Sequence, residues 1–599
     1  MVTKRLGLRL VAAGWALVGG ALQASEPVSL PPFNSLEGLD FPGDINPLES
    51  LPREIFPPPE PQFSFPAAAD SAPVPASAVT ENTLCVEGFD IIGSTVFSAA
   101  QLNSAVNQAL AAADVPAPGV APDCPQGQPL TFDQILLART AITQLYVDQG
   151  YTTSGAIIPA DTAFTDGQVP IQVIEGRLEE IIVNGTQRLD PGYISSRLAI
   201  AAVPPLNVER LLTGLQLLQQ DPLIDTLSAD LQQGIAAGTS RLVIDVAEAD
   251  SFRVEVGLDN SRSPSIGSVR RQVGLREGNL LGLGDALTLG YANTDGSNEI
   301  STSYTLPLNP YNGVLQLAAR WADNQVIEAP FQELRISSDS SEYSLTLRQP
   351  MLQTPQEQLD LGVVLSQQFN QTFLGIDNIG AFPIAPGADD QGRSVSTALR
   401  FFQAWTWRST EQVVSLRSQF SVGLGDFLGG TVNDSPALPD SRFFAWQGQG
   451  QWVQRLGADS LLLLRGSAQI AAEPLLSAEQ FGLGGQATVR GYRQDQLLTD
   501  SGLQASLEVR LPILRVPEVD ATPVGGVLQI APFTDVGYGW NVNRASPESA
   551  ALLGAGVGLI WQQPNLGARL DWGIPVIGGN NRGTLQENGI YFSVNYSFF

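Results

Sequence analysis

The sequence contains no histidine, and Lys4 is the single lysine among its 32 basic residues. Without histidine there is no Ser-His-Asp or Cys-His catalytic set and no His-bearing zinc site. With no lysine beyond position 4 there is neither a phosphate-loop lysine nor a Schiff-base lysine. Charged residues make up only 15% of the chain, against roughly 25% in an ordinary soluble domain. Positive charge is the scarcer sign. Sixty acidic residues leave a formal charge of −28, which excludes nucleic acid as a partner, because phosphate binding needs a basic footprint. Long apolar runs are also few, and a mean hydropathy of +0.04 is far too low for a bundle of membrane helices. Carboxylate-pair chemistry survives these exclusions, but no constellation supports an acidic hydrolase. The sequence therefore leads us to expect no enzyme, no catalytic residue, no metal and no cofactor.

Lys4, Arg5 and Arg9 precede an apolar stretch of 13 residues from Leu10 to Leu22, which is followed by Leu22-Gln23-Ala24. That pattern reads as an export signal over 1–24, the other reading being a short anchor or a buried helix. Export changes the meaning of the only two cysteines, Cys85 and Cys124. In an oxidising compartment the pair closes a disulfide, with two free thiols as the alternative. The chain-entropy model assigns such a loop roughly 3–4 kcal/mol.

Three compositions follow along the chain. Residues 25–82 are a Pro-rich linker, with 13 prolines including Pro57-Pro58-Pro59. Residues 83–177 read as strand, helix, helix, strand, strand. Gly88 to Phe97 is a strand entering a turn, and Ser98 with Gln101 forms a capping box. Thr131 to Gln149 carries Ile135, Leu136, Ala138, Ile142 and Leu145 on one helical face and stops at Gly150. Ala156–Pro159 and Val169–Ile174 read as paired strands. Residues 178–250 repeat the plan, with a strand at Leu178–Gly185, helices near Pro191–Ala201 and Val208–Leu218, and strands near Ile224–Leu231 and Ser240–Glu248.

From 251 to 599 helical periodicity gives way to alternation. Phe252, Val254, Val256 and Leu258 alternate with Arg253, Glu255, Gly257 and Asp259. Leu359 to Leu365, Leu503 to Val509 and Ile590 to Phe598 repeat the pattern. Period-two alternation fits a soluble β-sandwich or propeller, or a membrane barrel with an apolar face on lipid and a wet lumen. About 16 strands of about 10 residues fit the length and leave room for short turns on one side and long loops on the other. Trp405, Trp407, Trp446, Trp452, Trp540 and Trp561, near strand ends, fit interfacial girdles. The last apolar position in phase is Phe598, with Phe599 one step beyond it.

One motif narrows the reading. Val489-Arg490-Gly491-Tyr492-Arg493 follows the Gly-rich Phe481-Gly482-Leu483-Gly484-Gly485, and Phe533-Thr534-Asp535-Val536-Gly537 lies further on. With Gly257-Leu258-Asp259-Asn260-Ser261 and the two repeated modules, the chain resembles the two-partner secretion transporters of the BamA-related superfamily. These are the transporters for haemolysin secretion/activation and filamentous haemagglutinin. The resemblance implies two α+β POTRA domains (83–177 and 178–250) in the periplasm and a C-terminal antiparallel transmembrane β-barrel (251–599) in the outer membrane. It implies export of a large partner exoprotein, captured by the POTRA domains, through a monomeric transporter. It also implies a lumenal loop tipped by Val489 to Arg493, whose Arg490 pairs with Asp535 in the Phe533-x-Asp535-x-Gly537 pattern on the barrel wall. Independently of the resemblance, a buried arginine needs a carboxylate, and Glu508, on an adjacent strand, is a second candidate partner. Two alternatives stand beside this reading: an insertase of the same superfamily that assembles outer-membrane barrels, and a solute porin, against which the two POTRA-like modules argue.

Overall fold

The computed structural model describes residues 63–64, 83–115, 124–160, 167–516, 525–578 and 583–598. The expected export signal and all of the linker except Phe63–Ser64 lie outside the described residues. Helix α1 (Ala99–Ala112) begins at Ser98, whose hydroxyl accepts from the Gln101 amide while the Gln101 side chain returns to the Ser98 amide. Helix α2 (Phe132–Asp148) repeats the device with Thr131 and Gln134, and buries Ile135, Ala138, Ile142 and Tyr146. These side chains pack on a sheet in which Gly88–Ile92 runs parallel to Gln168–Ile174, while Gly155–Ile157 pairs antiparallel to the same strand. A short strand absent from the sequence reading, Gln128–Leu130, pairs with Leu84–Val86. Beside it a Cys85–Cys124 disulfide joins the two segments.

In the second module α3 (Pro191–Ala201) and α4 (Val208–Gln219) cover a sheet of Arg177–Asn184, Thr239–Glu248 and Ile224–Gln233. Phe63–Ser64 of the Pro-rich segment adds a parallel strand beside Ala229 and Asp230. The two modules are joined by a shared cap. The Asn207 side chain accepts from the Arg210 amide, starting α4, and donates to the Gln149 carbonyl at 2.9 Å, ending α2. Val208 N–H donates to the Gly150 carbonyl, and Leu206 N–H to that of Gly176. Under the barrel, Arg188 reaches Ser251, Glu277 and the Asn279 carbonyl, and the Asp190 amide donates to Gly282.

Residues 252–598 close into a barrel of sixteen spanning antiparallel strands, from Phe252–Asp259 to Ile590–Phe598. The first and last strands pair through Val254–Asp259 and Ser593–Phe598. Register sorts the side chains into rows. Tyr304, Leu317, Leu345, Leu365, Leu399, Val422 and Phe444 lie side by side on the outside. Ser301, Arg320, Glu342, Gln368 and Ser396 form an inward row. An apolar outer face needs lipid, and closure leaves no unpaired backbone edge within it. Trp405, Trp407, Trp446, Trp452, Trp540 and Trp561 share the outward register and fall near both strand ends.

Candidate functional site

The connection between Ser460–Ala471 and Ser501–Val516 is the long one, and it turns into the lumen. Its legs pair as a small hairpin, Phe481–Leu483 with Leu497–Thr499, which carries Val489 to Arg493 at its end. The wall beneath that end is built by register. Arg465, Ser506, Asp535, Gly554 and Pro575 form one inward row across five strands, and Glu508, Phe533, Gly556 and Gly573 form the next. The glycines are needed for space. A Cβ on Gly554 would lie 1.9 Å from the Arg490 carbonyl oxygen, and one on Gly537 would lie 2.9 Å from Val489 Cγ2.

Arg490 is 2% exposed. Its Nε and Nη2 donate to the two oxygens of Asp535 at 2.7 and 2.8 Å, the fork-to-fork geometry that guanidinium offers and ammonium lacks. Its amide also donates to Asp535, at 3.0 Å. Nη1 donates to Glu508 at 2.7 Å, and Nη2 reaches Ser506 at 3.2 Å. The guanidinium carbon lies 3.3 Å from the centre of the Phe533 ring. Both wall partners named from the sequence are thus engaged at once. Phe-x-Asp-x-Gly acquires a physical meaning here: Phe533 supports the cation, Asp535 pairs with it, and Gly537 gives way to Val489.

Four further groups join the cluster, among them Arg465, 3.7 Å from Glu508. Arg569 bridges Glu508 and Asp571, at 2.6 Å to each, and Arg510 donates to Glu508 at 2.8 Å. Asp571 lies 3.6 Å from Arg490. Sequence reasoning missed these residues, yet Arg569 and Asp571 stand on the polar phase of a strand that alternates with Leu570 and Trp572. That phase was the available signal.

The rest of the motif is held by backbone and hydroxyl groups. The Tyr492 hydroxyl, with one proton to give, lies 2.5 Å from the Ile577 carbonyl and 3.0 Å from that of Leu553, and accepts from the Leu553 amide at 3.1 Å. Tyr591, on the last strand, accepts from the Gly491 amide at 2.9 Å and donates to the Tyr492 carbonyl at 2.6 Å. Gly491 has φ +103°, a conformation open to glycine. Arg493 does not join the wall cluster. It pairs with Glu328 at 2.9 Å and Glu587 at 3.5 Å, both on loops at the end of the barrel away from the modules. The arrangement holds a loop against the barrel wall through a buried charge network.

In the first module Glu175 accepts from the Thr95 hydroxyl and amide, the Tyr146 hydroxyl and the Val96 amide. Burial pushes its pKa up, and these donors outweigh burial and hold it below the usual carboxylate value.

The family model described as haemolysin secretion/activation protein ShlB/FhaC/HecB matches residues 238–560, and the ShlB-type POTRA domain matches 123–176. The outer membrane transporter CdiB of Dickeya dadantii (strain 3937) is 22% identical over 455 residues, spanning 74% of this chain and 77% of that protein. CdiB of Escherichia coli is 22% identical over 565 residues, spanning 91% of this chain and 89% of its own. Among solved structures, CdiB from Escherichia coli superposes with a TM-score of 0.64 at 19% identity, covering 88% of this chain and 93% of the other. CdiB from Acinetobacter baumannii gives 0.59 at 16% identity, covering 95% of each. These two likenesses establish the shared fold.

Proposed function

This chain belongs to the haemolysin secretion/activation family ShlB/FhaC/HecB, and from that premise we propose how it moves its client. It is an outer-membrane two-partner secretion transporter, with its barrel in the membrane and its POTRA modules in the periplasm. An exoprotein partner is captured as an extended segment by the modules, through strand addition to an exposed sheet edge. The monomeric barrel then conducts the chain unfolded to the surface. The loop ending in Val489 to Arg493 is the lock, and passage requires it to shift against the wall.

The bidentate Arg490–Asp535 pair, buried together with Glu508, is the observation that supports this reading most directly. Removing one partner of such a buried pair typically costs about 3–5 kcal/mol. Arg490→Ala is expected to cut secretion of the partner exoprotein severely while the barrel still inserts and keeps its heat-modifiable gel mobility. Secretion at the wild-type level from Arg490→Ala would remove the loop from the mechanism.

A further inference from the structure

The loop tip brings a cation to carboxylates of the wall, Asp535 and Glu508. Its base shows the reverse polarity. Glu479, in the short turn Ser477–Glu479, accepts from Arg400 Nη2 at 2.9 and 3.1 Å, and the two side chains are 7% and 4% exposed. Arg400 stands on the inward face of Arg393–Arg408, between Val364 and Ser421, and four strands separate it from the strand of Asp535. Its other donors go to Ser366 at 3.3 Å and Ser421 at 3.1 Å, both neutral. Glu479 is its one carboxylate partner among the described residues. Ser396 donates to the same carboxylate at 2.9 Å.

The neighbouring contacts gather both legs of the loop at this level. Gln469 Nε2 donates to the Glu479 and Asp500 carbonyls at 2.9 and 3.0 Å. Asp500, fully buried, accepts from the Leu475 amide, from Gln480 and from Arg544. The segment from 475 to 500 is therefore closed at its base before the hairpin crosses toward the Arg490 site.

We propose that two ion-pair anchors of opposite polarity hold the loop across the lumen, and that Arg400 and Glu479 are positioning residues forming its pivot. The base anchor stays closed when the tip opens, so the hairpin swings as a flap and does not leave the pore as a free strand. This rests on the reading of Arg490 as a lock, and the test separates the two.

The measurement is single-channel conductance in KCl of the full-length protein in planar bilayers, with heat-modifiable mobility confirming each barrel. Glu479→Gln keeps the shape and one hydrogen bond to Arg400 but removes the charge. This variant and Arg400→Ala are expected to raise the open fraction by about tenfold or more, since each leaves a buried charge or cavity unpaired. The charge exchange Arg400→Glu with Glu479→Arg is expected to return the channel toward its resting state. Arg490→Ala with Arg400→Ala should conduct more than Arg490→Ala alone. Single variants as quiet as wild type, an exchange no better than the singles, or a double variant equal to Arg490→Ala would each overturn the pivot. An active Arg400→Ala beside a quiet Arg490→Ala would instead leave the pivot standing and remove the lock at the tip.

Discussion

A buried guanidinium needs carboxylate partners, and Arg490, 2% exposed, finds two in Asp535 and Glu508. Lysine offers a point charge and no fork, so it could occupy one of these positions and not both. Glu175 illustrates the same principle outside the membrane. Its folded pKa lies below the ordinary value of 4.5, so its contribution to stability is fully present above that value. It is lost as pH falls through the folded pKa. Calorimetry should show the transition of the first module falling as pH drops below about 4.5. Glu175→Gln should melt lower than wild type at neutral pH, with the two converging in acid. A constant gap across the whole range would show that titration of Glu175 has no part in that stability.

At the scale of elements, the tip docks because the wall is stripped of side chains beneath it. Gly554 faces the Arg490 carbonyl, and Gly573 and Gly537 open the neighbouring space. Gly554→Val should evict the tip without touching a single charge. Trypsin added from outside should then cleave at Arg490 or Arg493 faster than in the wild type. An unchanged digest would mean that the tip docks elsewhere. Much of this was readable beforehand. Ser98 announced α1 through its capping partner, the apolar face ending at Gly150 announced α2, and period-two alternation announced the strands with their outward tryptophans. Arg490 and Asp535 came from motif and resemblance together, and Glu508 from the need of a buried arginine for a carboxylate on an adjacent strand. The strand Gln128–Leu130 was hidden because three residues carry no period. Arg400 and Glu479 were hidden for another reason. They lie 79 residues apart, and the infolding of the loop, which no local pattern encodes, brings Glu479 to Arg400.

Over the whole molecule, closure of the barrel depends on one seam, where the first and last strands share a short ladder. Beyond it a side chain continues the backbone pattern. Fully buried Asn260 accepts from the Phe592 amide at 2.8 Å and donates to the Ile590 carbonyl at 2.9 Å. Asn260→Leu strands both groups, at a cost of about 1–3 kcal/mol each. The temperature at which the folded gel band converts to the unfolded one should drop by several degrees, and an identical conversion temperature would show the seam indifferent to that amide. At the other end of the molecule the shared cap at Asn207 has its own consequence. One amide finishes a helix of the outer module and starts a helix of the inner one, so the two modules are joined by direct hydrogen bonds and not by chain alone. Under the proposed capture of a client by the modules, that joint would offer any gripped segment to the barrel mouth from a constant height and heading.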